Sequence, residues 1–124
     1  MKRSAAGILA IGAWLAATPA RASDPDPWFG RDKALHFSAS ALIAGAGYGG
    51  ASVVTDDRRA RLLTGAGLAL AAGVGKETWD AMGHGDASYR DLTWDVVGTA
   101  AGLAVAALID WSISRLRGAP ANAR

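Results

Sequence analysis

Residues 75–109, GKETWDAMGHGDASYRDLTWDVVGTAAGLAVAALI, change character partway along. The first part gathers acids, a lysine and a histidine around glycines, while the part after Asp95 is Ala, Gly, Leu and Val with no charge before Asp110. This boundary reads as the end of one helix, a Gly-rich turn over residues 83–88, and a further helix from Tyr89 to Arg115. Ser88 is the expected N-cap, with Asp91 three residues on in capping-box position. The apolar run is long enough to cross a hydrocarbon core.

Upstream, a second helix is expected from Arg61 to Met82. Its uncharged centre, Leu62 to Gly75, is short for a span, so Lys76 and Glu77 must lie in its last turns near an interface. Before it, Asp32 opens a first helix whose span, Ala34 to Val54, carries His36 as its ionisable group apart from Tyr48. VTDDRRAR connects the two. Three helices with short connections alternate in direction.

Composition points the same way. Apolar residues make up 51% of the chain, yet only 7% of it is aromatic and 16 residues are Gly. A small water-soluble domain needs large side chains to bury enough area, whereas membrane helices pack through small ones. The expected fold is therefore all-α, a three-helix membrane bundle at residues 32–116, with a lead-in at 23–31 and a disordered tail at 117–124. With no cysteine, disulfides, thiolate metal sites, thiol nucleophiles and a lipid-modified N-terminal cysteine are excluded.

The N-terminus reads as a signal peptide over residues 1–22: Lys2 and Arg3, an apolar run from Ala5 to Ala17, then Ala20-Arg21-Ala22 before Ser23. Cleavage after Ala22 is expected, and retention as an anchor is the alternative. Loss of Lys2, Arg3 and Arg21 takes 13 basic residues to 10 against 11 acidic ones, so the pI near 9.4 belongs to the precursor. Without a basic patch interleaved with aromatics, nucleic acid is not an expected partner.

A cleaved signal leaves the mature N-terminus outside the inner membrane. Arg58, Arg59, Arg61, Arg115, Arg117 and Arg124 then fall inside, against Arg31, Lys33, Lys76 and Arg90 outside, which agrees with the positive-inside rule. This arrangement brings Asp32, Lys33 and His36 to the same periplasmic end as Lys76, Glu77, Asp80, Asp91 and Asp95. Helical spacing sets these residues above small-residue faces, with Gly45, Gly49, Gly73, Gly98 and Gly102 as packing positions. The same faces offer contacts to a second copy or another membrane protein, the bilayer being the first partner. The acids outnumber the lysines, so shared protons, water, Arg90 or a cation must compensate them.

The motifs DKALHF at 32–37 and GKETWDAMGHGDASYRDLTWDVVGTAAG at 75–102 resemble the YfiM-like family of uncharacterised bacterial lipoproteins. The matching positions are Asp32, Lys33, His36 and Phe37; Lys76, Glu77 and Asp80; and Ser88, Asp91, Leu92, Asp95 and Gly98. A looser resemblance to VanZ-like membrane proteins rests on the DKxxHF start and the late acids. The lipoprotein members would carry a lipobox cysteine, which this chain lacks. The resemblance implies an envelope location, with no mechanism attached.

Four readings of the cluster are open. It is a structural ion-pair network; a metal site drawing on His36, Glu77, Asp80, Asp91 and Asp95; a catalytic site with His36 as base or nucleophile, oriented by Asp32 or Asp95, acting on a lipid head group or envelope glycan; or a transport relay. No motif calls for an organic cofactor. Ser38 and Ser40 read as small packing residues and His84 as solvated. Asp110 is expected to snorkel or to pair with Arg115 or Arg117, and Trp79, Trp94 and Trp111 to form an interfacial belt. A periplasmic or outer-membrane-associated helical domain is the alternative to an integral inner-membrane protein.

Overall fold

The computed structural model describes residues 25–118. The expected signal peptide, its cleavage site and most of the expected tail lie outside them. Among the described residues there are three helices and no strand: α1 (Arg31–Ala51), α2 (Arg58–Trp79) and α3 (Tyr89–Leu116), with a π-type turn at Asp80–His84 after α2. Each helix packs on the other two.

The boundaries follow local chemistry. α1 ends three residues short of the expected Val54: the Ser52 hydroxyl donates to the Gly49 carbonyl at 2.6 Å, and the Val53 and Val54 amides turn back to Gly50 and Ala51. α2 begins three residues before the expected Arg61, because Asp57 caps it by accepting from the Arg59 amide at 2.9 Å. It leaves through Gly83, whose φ of 100° is a left-handed conformation that suits glycine. α3 starts where expected, with the Ser88 hydroxyl accepting from the Asp91 amide at 3.2 Å.

The helices meet through backbone. A Cβ on Gly98 or Gly102 would run into the main chain of Phe37 or Ala41, and one on Gly65 into that of Ala44. Of the glycines expected to pack, Gly98 and Gly102 lie against the α1 main chain and Gly73 against the Asp95 side chain. Gly45 makes an ordinary contact. Gly49 must be corrected: its Cβ position faces open space, because the helix turns its Gly47 and Ala51 face inward instead.

Burial is inverted relative to a water-soluble bundle. The buried apolar residues are Ala34, Ala44, Ala51, Ala69 and Tyr48, whereas Leu42 (74% exposed), Leu63 (64%) and Leu108 (62%) face outward. The interior holds Lys33, Arg61, Glu77, Asp91 and Asp95. Among the described residues one helix, α3, is long and apolar enough to cross a membrane by length and composition.

Candidate functional site

The eight residues expected to converge do converge, at the end where α1 and α3 begin and α2 ends. Lys33, on the first turn of α1, is 2% exposed. It donates to Asp91 at 2.5 Å, to Asp32 at 3.3 Å and to Asp26 of the lead-in. One turn along, His36 places Nδ1 3.0 Å from Asp95 Oδ1 and Nε2 3.3 Å from Asp91 Oδ2. From α2, Lys76 reaches Asp80 at 2.8 Å and Glu77 at 3.3 Å, and stands 3.4 Å from His36 Nε2. Two partners therefore compete for Nε2: Asp91 requires a donor there, whereas Lys76 requires an acceptor.

The capping box closes differently from expectation. Asp91 is turned away from the helix end toward Lys33 and His36, so the Ser88 amide donates to Glu77 of α2 instead, at 2.6 Å. A glutamate from the preceding helix thus takes the usual role of the third residue of the box. This releases Asp91 for the cluster.

Sequence reasoning missed two members. Ser40, read as a packing residue, donates to Asp95 Oδ1 at 2.8 Å, so that oxygen serves both Ser40 and His36. Asp26 accepts from Lys33 and, at 2.7 Å, from the Ser88 hydroxyl, while its carbonyl accepts from Arg90. These two bonds to its carboxylate, Lys33 first, hold the Asp26 carboxyl below its ordinary value. The lead-in is strapped down further by aromatic contacts: Trp94 donates to the Trp28 carbonyl at 2.7 Å and packs edge-on to Phe29, and Arg90 lies over the Trp28 ring. Trp94 accordingly departs from the expected belt and anchors this strap. Trp79 and Trp111 stay partly exposed, the first stacked on His84 and the second beneath Arg115.

Asp110 is also corrected. It accepts from Tyr48 at 2.7 Å and from Arg61 at 2.9 Å, since its face of α3 turns inward toward α1 and α2. Arg61 further holds the Thr55 carbonyl at 2.8 Å and Asp56 at 3.2 Å. A second, smaller polar knot thus closes the opposite end. Asp110 follows Asp95 by 15 positions, so the two knots are about 22 Å apart along α3.

For a metal, Asp32, His36 and Asp91 offer ligand atoms within 4.8 Å of one another. Of the expected ligands, Glu77, Asp80 and Asp95 fall outside this set and Asp32 joins it. Lys33 already neutralises part of this set, holding Asp91 Oδ1 and Asp32 Oδ2, while His36 Nε2 faces the other oxygen of each carboxylate.

Beside the cluster, a groove of about 370 Å³ opens between α1 and α2. Asp32, His36, Ser40, Lys76 and Asp95 line its polar end, and Leu35, Ile43 and Ala72 its apolar side. Asp95 is 3% exposed, and its Oδ2 has no hydrogen-bond partner. The Gly73 backbone approaches so closely that a Cβ there would lie 2.5 Å from this oxygen. No protein-family model, curated protein or solved structure matches the chain.

Proposed function

We propose that this is a small integral membrane protein of the bacterial envelope, of the YfiM-like kind. On this reading its charged cluster locks three smooth helices in register and presents a polar binding site at the periplasmic face of the inner membrane. The observation that carries the proposal is the inverted burial, with Lys33, Asp91 and Asp95 inside and Leu42, Leu63 and Leu108 outside. In water that exterior would be a large aggregation-prone apolar surface; in lipid it is the solvated one. The paired charges are sheltered by the bundle, and the two polar knots bracket an apolar band about 22 Å high, about three-quarters of the thickness of a hydrocarbon core. The exposed Phe29, Trp79 and Met82 at the cluster end suit an interface.

Alkaline carbonate extraction tests this directly: the protein should stay with the membrane pellet, and release into the soluble fraction would defeat the reading. Orientation is checked by single cysteines at Thr55 and at the exposed Ala87 with an impermeant reagent on spheroplasts. Ala87 should label, and labelling of Thr55 alone would reverse the topology.

The contact between His36 Nδ1 and the buried Asp95 favours a second reading, chemistry on a lipid head group or envelope glycan. A carboxylate that fixes one ring nitrogen leaves Nε2, flanked by Asp91 at 3.3 Å and Lys76 at 3.4 Å, as the atom that would exchange a proton. His36→Gln separates the two readings: lost protein level marks a structural role, whereas normal level with a lost envelope phenotype marks catalysis.

A further inference from the structure

We infer that the groove between α1 and α2 holds a single phospholipid with a phosphoethanolamine head group. The inference rests on the integral-membrane reading. The groove has the polarity gradient of a lipid: charged groups at the end of the bundle, and Leu35, Ile43 and Ala72 along the side facing the apolar band. Its mouth offers one exposed group of each sign. The Asp32 side chain is 65% exposed and the Lys76 side chain 46%, and they stand 4.0 Å and 3.4 Å from His36 Nε2. A head group carrying phosphate and ammonium a few ångströms apart is complementary to that pair, with phosphate on Lys76 and His36 and ammonium on Asp32.

Charge balance selects the zwitterion. Asp26, Asp32, Glu77, Asp80, Asp91 and Asp95 gather around Lys33, Lys76, Arg90 and His36. The buried Asp95 carboxylate, on the groove floor, keeps one oxygen without a donor. An anionic lipid would add to this negative surplus, whereas a phosphoethanolamine head group adds none and sets its ammonium beside the acids. A primary ammonium also supplies N–H donors to Asp32, which a quaternary choline lacks. The larger groove of about 580 Å³ between α1 and α3 carries no charged lining group and offers no such recognition.

The test uses full-length protein purified from membranes and native mass spectrometry with phosphatidylethanolamine, phosphatidylglycerol and phosphatidylcholine of equal chain length. One phosphatidylethanolamine per chain should be retained about tenfold or more over either competitor. Asp32→Asn, which removes one exposed partner of Lys33 and leaves its pairs with Asp91 and Asp26, should abolish the preference over choline lipid, and Lys76→Gln should weaken retention of all three. Equal retention of the three lipids, or an undiminished preference in Asp32→Asn, overturns the inference. So does full displacement by water-soluble glycerophosphoethanolamine at matched concentration, because the source would then be a free head group. Carbonate release defeats the membrane reading itself, whereas membrane retention without lipid preference defeats only this inference.

Discussion

Replacing Lys33 by Met removes the cation that holds three acids while preserving most of the side chain's volume. Lys33 and Asp91 are each 2% exposed, so the abandoned Asp91 carboxylate has little access to water. Breaking one partner of a buried pair typically costs about 3–5 kcal/mol. Two features place this case toward the lower end: His36 stays 3.3 Å from Asp91, and the Asp26 side chain is 39% exposed and can rehydrate. A loss of about 3 kcal/mol lowers the folded-to-unfolded ratio roughly a hundredfold. Reversible unfolding in mixed micelles, followed by tryptophan fluorescence and circular dichroism, gives the ratio. The double variant Lys33→Met/Asp91→Leu should recover most of the loss, because an apolar pair of similar volume often substitutes for a buried ion pair without penalty. A single variant within about 1 kcal/mol of wild type would refute the reasoning, and so would strictly additive losses in the double-mutant cycle.

Three further outcomes are expected. Gly98→Ala and Gly102→Ala drive a methyl into the main chain of α1 and should each cost about 1–3 kcal/mol in the same assay, while Gly49→Ala, facing open space, should stay within about 0.5 kcal/mol. Arg61→Met should destabilise by about 3 kcal/mol by stranding Asp110, whereas Arg115→Ala should lose no more than about 1 kcal/mol. Because the Asp26 carboxyl is held low, its contribution is complete above the unfolded value near 3.8 and is lost as pH falls through the lower folded value. The stability difference between wild type and Asp26→Asn should therefore be constant above about pH 5 and shrink only below 3.8; a midpoint above 5 would contradict the strap geometry.

Much of this was legible in the residue order. Charges at three helix ends, combined with alternating direction, brought Asp32, His36, Glu77 and Asp95 to one end, and the glycines of α3 predicted a close approach. What escaped had no local signature. Asp26 lies in a Pro-rich segment without periodicity, so nothing in the sequence shows that Lys33 and Ser88 reach it. Ser40 matches the small-residue stripe by size, and only the position of Asp95 on another helix gives its hydroxyl a task. Asp110 has arginines five and seven residues ahead, yet its partner Arg61 lies on a different helix, and helical phase rather than sequence proximity decides the pairing. Gly45 and Gly49 form as good a small-residue pattern as Gly98 and Gly102; the pattern names a smooth face without saying which neighbour covers it.

The cap shared between Ser88 and Glu77 bears on the order in which the chain assembles. α3 carries half of its cap itself, in the Ser88 hydroxyl, but the acceptor for the Ser88 amide comes from the last turn of α2. The π-type turn and Gly83 between them form the hinge that brings the two into reach. α2 and α3 are thereby tied to form as one hairpin during synthesis, with α3 completed only once its predecessor is helical. Lys33 of α1, first to be made, would gain its Asp91 partner last, when the hairpin closes back against it.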